Sequence, residues 1–156
     1  MEMGTPHLVE ERDGFWISTD PDKLDVTAVH AYLSQSYWAG GISLELVAKS
    51  IAGSIPFGLF ELDRQIGFAR VITDRVTFAY LCDVYVLEEF RGRGLGRWLM
   101  EAVSAHPDLQ NLRRFSLVTR DAHGLYEKFG FTPLKNPNGH MELLRPDIYK
   151  ATPVNK

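Results

Sequence analysis

The chain has 156 residues, of which 45% are hydrophobic and 12% aromatic, enough to form one domain with a buried core. Its formal net charge is −3 and its pI is about 5.9, which argues against a protein that binds nucleic acid through a basic face. The single cysteine, Cys82, excludes an internal disulfide framework, and no apolar stretch near the N-terminus indicates a signal peptide or a membrane span. We therefore expect one cytoplasmic domain over residues 1–156, with its core at 10–145, a loosely held tail at 146–156, and neither nucleic acid nor a membrane as partner.

The first third of the chain predicts one strand followed by two helices. Residues 15–17 form a short apolar strand pattern, and apolar residues recur at roughly helical spacing over 21–37. A glycine pair interrupts that pattern, and Ser43 is a good N-cap for a second helix that ends before Gly53.

The remainder of the chain predicts mostly strands. An antiparallel meander over 57–62, 66–73 and 76–86 follows from apolar runs separated by Asp-Arg turns. The later predicted elements are a helix from Leu95 to Pro107, a strand over 114–119, a helix over 122–129, and closing strands near 131–134 and 141–144.

The segment Arg91-Gly92-Arg93-Gly94-Leu95-Gly96 joins the third meander strand to a helix. A glycine-rich turn at a helix N-terminus directs unpaired amides and the positive end of the helix dipole toward an anion, here a phosphate or a pyrophosphate. A plain turn is the alternative, since glycine serves many turns. The apolar stripe that follows, at i, i+3, i+4, i+7 and i+8 from Leu95, favours the anion site because it fixes the helix against a sheet. The glycine spacing fits neither the Rossmann fingerprint nor a P-loop.

Two motifs in this order resemble the GNAT N-acetyltransferase superfamily. The family signature Arg/Gln-x-x-Gly-x-Gly/Ala is matched by Arg91, Gly94 and Gly96, and residues 121–131 are similar to its Tyr-x-Lys-x-Gly-Phe segment. The resemblance covers about a third of the chain strongly. It implies an α/β (α+β) single-domain fold, in which a mixed, mostly antiparallel sheet of about seven strands splays between its fourth and fifth strands, 76–86 and 114–119, with about four flanking helices.

The resemblance further implies that acetyl-CoA lies in the notch between the splayed strands. The backbone of the glycine-rich turn would hold the pyrophosphate, the strand before it would bond the pantetheine arm, and the amide near Val86 would polarise the thioester carbonyl. The residues that we expect to contact the donor are Val84, Tyr85, Val86, Arg91, Gly92, Arg93, Gly94, Leu95, Gly96 and Arg97.

Two side chains are candidates for catalysis. Tyr126 matches the family's tyrosine, which would donate a hydrogen bond to the leaving thiolate, with core packing as the alternative. Asp83 stands inside an otherwise apolar strand, where burial would raise its pKa and suit it to deprotonate the amine. A structural salt bridge with a residue such as Arg70 is an equally good interpretation of Asp83.

The acceptor is the least determined part of this prediction. Tyr37, Trp38 and Tyr80 are candidates for an aromatic wall around a cationic amine, and His123 for a further acceptor contact, with core packing and a solvated histidine as the alternatives. We expect direct transfer to a small-molecule primary amine in a ternary complex. A protein or peptide acceptor, and a non-catalytic acyl-CoA sensor, remain open, as does homodimerisation. Histidine and cysteine spacings predict no metal.

Overall fold

A six-stranded sheet forms the centre of the protein, seen in a computed structural model that describes residues 6–150. The strands lie side by side in chain order and are antiparallel, except that β5 and β6 run parallel. The strands are β1 (Val9–Arg12), β2 (Phe15–Ser18), β3 (Ile55–Glu61), β4 (Arg64–Thr73), β5 (Phe78–Val86) and β6 (Arg114–Leu117).

Four α-helices accompany the sheet within residues 6–150: α1 (Val26–Leu33), α2 (Leu44–Ala52), α3 (Leu95–Ala105) and α4 (His123–Glu127). Short 3₁₀ turns lie at Pro21–Lys23, Glu88–Phe90, Pro107–Leu109 and Pro137–Gly139. Ser43 caps α2 as predicted, its hydroxyl accepting from the Leu46 amide at 3.2 Å. None of the described helices has the length and apolar character that crossing a bilayer requires.

The two faces of the sheet carry separate cores. One face packs against α3, whose predicted apolar stripe is buried, and the other packs against α1 and α2. Because both faces are covered, β3 is apolar and buried along nearly its whole length. The mixed α+β fold that the resemblance implied is therefore confirmed.

The parallel pair β5·β6 opens into a notch. Its ladder ends at Leu81 opposite Leu117, whereas β5 continues to Val86. Within this unpaired stretch a β-bulge places Asp83 and Val84 opposite the single residue Ala69, and Asp83 adopts φ 57°. The predicted splay between the strands 76–86 and 114–119 is thus present, and the bulge re-aims the side chains that border it.

The sheet differs from the predicted one at both ends. β1 was not predicted, because Val9–Arg12 has two adjacent glutamates and no apolar alternation; the ladder with β2 holds it. The predicted closing strands at 131–134 and 141–144 are wrong: neither segment is a strand. Pro133 cannot donate to a ladder, and the side chains of 141–144 are exposed, so these segments gain neither the hydrogen bonds nor the burial of a strand.

The first predicted helix is also shorter than expected. Pro21 begins a separate 3₁₀ turn and Leu24 is extended. The Asp25 carboxylate then caps α1 by accepting from the Ala28 amide at 3.0 Å. The predicted helix over 21–37 is therefore an α-helix over 26–33 only.

Candidate active site

A single cleft of about 1460 Å³ begins at the notch between β5 and β6. This volume exceeds the range of about 300–1000 Å³ usual for small-molecule sites, so a long ligand and a second one fit together. Of the residues predicted to form the site, those that line the cleft are Tyr37, Trp38, Tyr80, Asp83, Val84, Tyr85, Val86, Arg91, Gly92, Gly94, Leu95, Gly96 and Tyr126. Three do not line it: Arg93, Arg97 and His123.

Each of these three faces elsewhere. The Arg93 guanidinium lies over the Phe90 ring at 5.4 Å, and Arg97 forms an exposed ion pair with Glu101 at 3.6 Å. Both remain near the turn, where their charges act through space. His123 is exposed and lines a different groove, beyond β6, which agrees with the solvated alternative.

The glycine-rich turn ends in unused backbone donors. Gly92 and Gly94 have φ of 83° and 78°, the left-handed region that glycine occupies without strain, and Gly94 serves as the N-cap of α3. In the described part of the chain, the amides of residues 94–97 donate no hydrogen bond to the protein, as the first turn of a helix requires. The Arg91 amide was expected to join them but donates to the Glu88 carbonyl at 3.1 Å. The predicted anion site is therefore open at 94–97 and closed at 91.

The Arg91 side chain ties the turn to its surroundings. Its Nε donates to the Val86 carbonyl at 2.9 Å and its Nη2 to the Tyr32 hydroxyl at 3.0 Å. Tyr32 in turn stacks on Tyr85 with ring centroids 3.9 Å apart. Arg91 thus joins the turn to β5 and α1 and fixes the width of the cleft there.

The free edge of β5 faces the cleft. The Leu87 amide donates to the Ile66 carbonyl at 2.8 Å, on the β4 side. Because successive amides along an antiparallel strand point to opposite sides, the Val86 amide points away from β4 and into the cleft. This edge has the hydrogen-bonding groups that an extended ligand needs.

Asp83 is held by two partners. Its Oδ2 accepts from Arg70 Nε and its Oδ1 from Trp38 Nε1, each at 2.8 Å. Arg70 also donates to the Ser54 hydroxyl at 2.9 Å, and the side chains of Arg70 and Asp83 are only 14% and 9% exposed. The salt bridge weighed from the sequence is therefore present. It connects β4, β5 and the loop after α1 in one network.

The aromatic residues Tyr37, Trp38 and Tyr80 line one end of the cleft, around Asp83. Tyr37 and Trp38 contact edge to face at 5.0 Å, and the Arg120 guanidinium lies 3.8 Å from the Tyr37 ring centroid. The expected cation–π position on Tyr37 is thus filled by the protein's own arginine. Tyr80 lines the same end, and burial, followed by the nearby Cys82 and Asp83, raises the pKa of its phenol.

Tyr126, on α4, lines the cleft and also the groove beyond β6. Its side chain is 8% exposed, and burial raises the pKa of its phenol, with Tyr37 and Asp121 adding to the increase. The phenol is consequently neutral at physiological pH and can donate a hydrogen bond.

The Cys82 thiol lies between the two ends of the cleft. Burial raises its pKa to about 12, despite the opposing effect of the Arg70 guanidinium. Among residues 6–150, no group of three or more His, Cys, Asp or Glu side chains is arranged to hold a metal ion.

Known proteins with related sequences agree with this geometry. The family described as Acetyltransferase (GNAT) domain matches residues 53–133. A predicted acetyltransferase of Gibberella zeae is 36% identical, over 75% of this chain and 78% of its own length. The chain belongs to the GNAT acetyltransferase family. The predictions of family and of acyltransferase activity are confirmed.

Solved structures of related proteins extend the comparison. A predicted GNAT acetyltransferase of Xanthomonas campestris is 52% identical, with a TM-score of 0.86 over 95% of this chain and all of the other. A predicted acetyltransferase of Clostridium acetobutylicum, solved with acetyl-CoA, is 16% identical with a TM-score of 0.61, over 83% of this chain and 94% of its own. At that identity the second likeness supports the fold alone.

Among the cleft residues that sequence reasoning did not assign to the site are Tyr32, Arg120 and Glu142. Tyr32 had a weak signal, since it lies on the apolar stripe of a predicted helix. Arg120 and Glu142 follow or precede regular elements and belong to no motif, so nothing in the sequence marks them.

Proposed function

We propose that this GNAT protein transfers the acetyl group of acetyl-CoA to a primary amine of a small molecule, by direct attack in a ternary complex. The observation that carries the proposal is that one cleft borders the turn whose amides at 94–97 are free, and also contains the unpaired edge of β5 and the neutral Tyr126 phenol. A backbone anion site, an edge for an extended arm and an acid lie in the order in which acetyl-CoA presents phosphates, pantetheine and thioester.

The chain's residues fit this donor. The four amides and the helix dipole suit a diphosphate, and Arg93 and Arg97 add positive charge nearby. A Cβ at Gly96 would lie 4.0 Å from Val86 Cγ2 and so would narrow the space between turn and strand where the ligand passes. The Val86 amide, directed into the cleft, is a candidate oxyanion donor for the thioester carbonyl.

Direct transfer is supported by the state of Cys82. With a pKa of about 12, its thiol is protonated at neutral pH, and only the thiolate is a competent nucleophile. A covalent acetyl-cysteine is therefore disfavoured. The amine nitrogen forms the N–C bond as the C–S bond breaks; of the two protons that the ammonium loses, one goes to water and one ends on the thiolate.

Tyr126 serves the leaving group in this proposal. A phenol with a raised pKa releases its proton less readily than a thiol, so full proton transfer to the thiolate is uphill. A hydrogen bond that strengthens as charge develops on sulfur is the appropriate role. Solvent then supplies the proton.

Asp83 as general base stays a prediction. Its two hydrogen bonds support a positioning role instead, in which the carboxylate fixes the Trp38 indole in the acceptor wall. A water chain in the open cleft would then take the first amine proton.

An acceptor screen tests the proposed function. Release of thiol from acetyl-CoA is followed with small primary amines, with peptides bearing a free N-terminus or a lysine, and without acceptor. Turnover with small amines is the expected result. Turnover with peptides alone would replace the acceptor class, and saturable acetyl-CoA binding without turnover for any acceptor would indicate a sensor.

A further inference from the structure

The end of the cleft around Tyr37, Trp38 and Tyr80, which would hold the acceptor, is called the acceptor end. It contains two charged side chains, Arg120 and Glu142, that form no ion pair with the part of the protein that the structure describes. Within residues 6–150, neither Arg120 nor Glu142 forms a salt bridge, although both are exposed in the cleft lining. The other arginines that line the cleft are satisfied by the protein: Arg64 pairs with Glu89 at 3.1 Å, and Arg91 donates to the Val86 carbonyl and the Tyr32 hydroxyl. The unpaired charges are of opposite sign and belong to different segments.

Arg120 is held with its donors available. Its guanidinium lies over the Tyr37 ring, and Tyr37 contacts Trp38, whose indole is bonded to the buried Asp83. Because the five N–H donors of a guanidinium lie in its plane, stacking the group on a ring leaves these donors free. Two of these donors can bind a carboxylate or a phosphate through two parallel hydrogen bonds.

Glu142 adds negative charge to the cleft near Tyr80. It lies close enough to Tyr80, together with Asp83, to raise the pKa of that phenol. Asp121 also lines the cleft, on the side of Tyr126, where it raises the pKa of the Tyr126 phenol. The cleft therefore offers carboxylates to an ammonium group and one guanidinium to an anion.

We propose that the acceptor amine also carries an anionic group, a carboxylate or a phosphate, which Arg120 binds while Glu142 faces the ammonium. This inference rests on the proposed function and narrows its acceptor class to zwitterionic amines. A plain alkylamine would leave the Arg120 N–H donors without a partner. It would therefore bind without the charge-assisted hydrogen bonds that a zwitterion makes.

The test compares matched acceptors. Leucine and isoamylamine differ by one carboxylate, and phosphoethanolamine and ethanolamine by one phosphate, so the two pairs separate the two anion sources. In the unmodified protein, kcat/KM for one or both anionic members is expected to exceed that of its partner by at least about 30-fold, equivalent to about one charge-assisted hydrogen bond.

Variants separate binding from a structural role. Arg120→Gln is expected to lower kcat/KM for the anionic acceptor by about 30-fold and to change that of its uncharged partner by less than threefold, with Arg120→Lys recovering part of the loss. Arg113→Gln, an exposed arginine outside the cleft, is the matched control and should behave as the unmodified protein. Glu142→Gln is expected to raise KM for both members of a pair.

Equal kcat/KM within both pairs, or an equal loss for both members in Arg120→Gln, would overturn the inference while leaving acetyl transfer intact. Absence of turnover with every amine, despite acetyl-CoA binding, would overturn the proposed function and this inference with it.

Discussion

At the donor end of the cleft, four consecutive amides on one turn present the binding groups; at the acceptor end, those groups come from side chains on separate segments. Residues 94–97 require only that two glycines adopt positive φ and that α3 begins at Leu95. The acceptor end requires that Trp38, Asp83, Arg120 and Glu142 be brought together by the whole fold.

The backbone site and the side-chain site differ in how easily substitutions change the ligand that each one binds. A backbone site is fixed by conformation, so it binds the same chemical group whatever side chains surround it. A side-chain site changes its ligand with one or two substitutions. Binding of the donor is accordingly expected to tolerate little alteration of the turn, whereas the choice of acceptor is expected to depend on exposed side chains such as Arg120 and Glu142, which the fold does not need.

The largest effect concerns Cys82, between the two ends. At pH 8 its alkylation by iodoacetamide should be at least about 1000-fold slower in the native protein than in urea, because a pKa of about 12 against 9.0 lowers the thiolate fraction by that factor. The native rate should still rise with pH up to pH 10. Mass spectrometry of the modified peptide measures both. A native rate within tenfold of the unfolded one would return covalent transfer to consideration.

Tyr126→Phe removes the hydrogen bond to the leaving sulfur at the junction of the two ends. It should lower kcat about 100-fold, in the range of a lost general acid, with the KM for acetyl-CoA changed less than threefold. Steady-state thiol release gives both constants. Tyr149→Phe, outside the cleft, is the control. A kcat within twofold of that of the unmodified protein would mean that Tyr126 only packs in the core and takes no part in catalysis.

Gly94→Ala tests the backbone site. An alanine at φ 78° strains the turn by about 1–2 kcal/mol and displaces the amides, so KM for acetyl-CoA should rise about 30-fold while the acceptor KM stays constant. Gly14→Ala is the matched control, since Gly14 has φ 87°, no atom near its Cβ position and no part in the cleft. It should lose similar stability and keep its KM. An equal increase of the KM for acetyl-CoA in both variants would indicate that a general loss of stability, and not loss of the anion site, causes the effect.

Asp83→Asn tests how the acceptor wall is held. It should raise the acceptor KM about tenfold and lower the free energy of unfolding by about 3 kcal/mol, because Arg70 is left with an uncompensated buried charge. The pH profile of kcat should be parallel to that of the unmodified protein.

Trp38→Phe, which removes only the indole donor to Asp83, should raise the acceptor KM similarly. An Asp83→Asn profile that loses its dependence on pH over the acidic range would instead identify Asp83 as the base.

The donor end could be predicted from the sequence because its determinants are local. Glycines in a turn, followed by an apolar stripe with helical spacing, specify a helix N-terminus directed at a cleft, and a strand of apolar residues before them specifies the free edge. The family motifs supplied the ligand. The structure changed two details: the Arg91 amide is used by the 3₁₀ turn at 88–90, and neither Arg93 nor Arg97 lines the cleft.

The acceptor end could not be predicted because its determinants are tertiary. Whether Asp83 is free or paired depends on the bulge and on Arg70 across the ladder, and the position of Arg120 depends on a ring that comes from the loop after α1. The closing strands failed for a similar reason. The apolar residues at 141–144 predict a strand, but a strand forms only where a neighbouring strand pairs with it through hydrogen bonds.

The central claim is that the amides of residues 94–97 bind the diphosphate of acetyl-CoA. Isothermal calorimetry of the unmodified protein with acetyl-CoA and with S-acetylpantetheine, which lacks the diphosphate together with the adenosine 3′-phosphate, tests it most directly. S-acetyl-4′-phosphopantetheine, which keeps one of the two phosphates and no adenosine, is the control that separates the two groups. We predict that acetyl-CoA binds at least about 100-fold more tightly, equivalent to at least one strong charge-assisted hydrogen bond. Equal dissociation constants for the two thioesters, or no heat with acetyl-CoA, would contradict the claim.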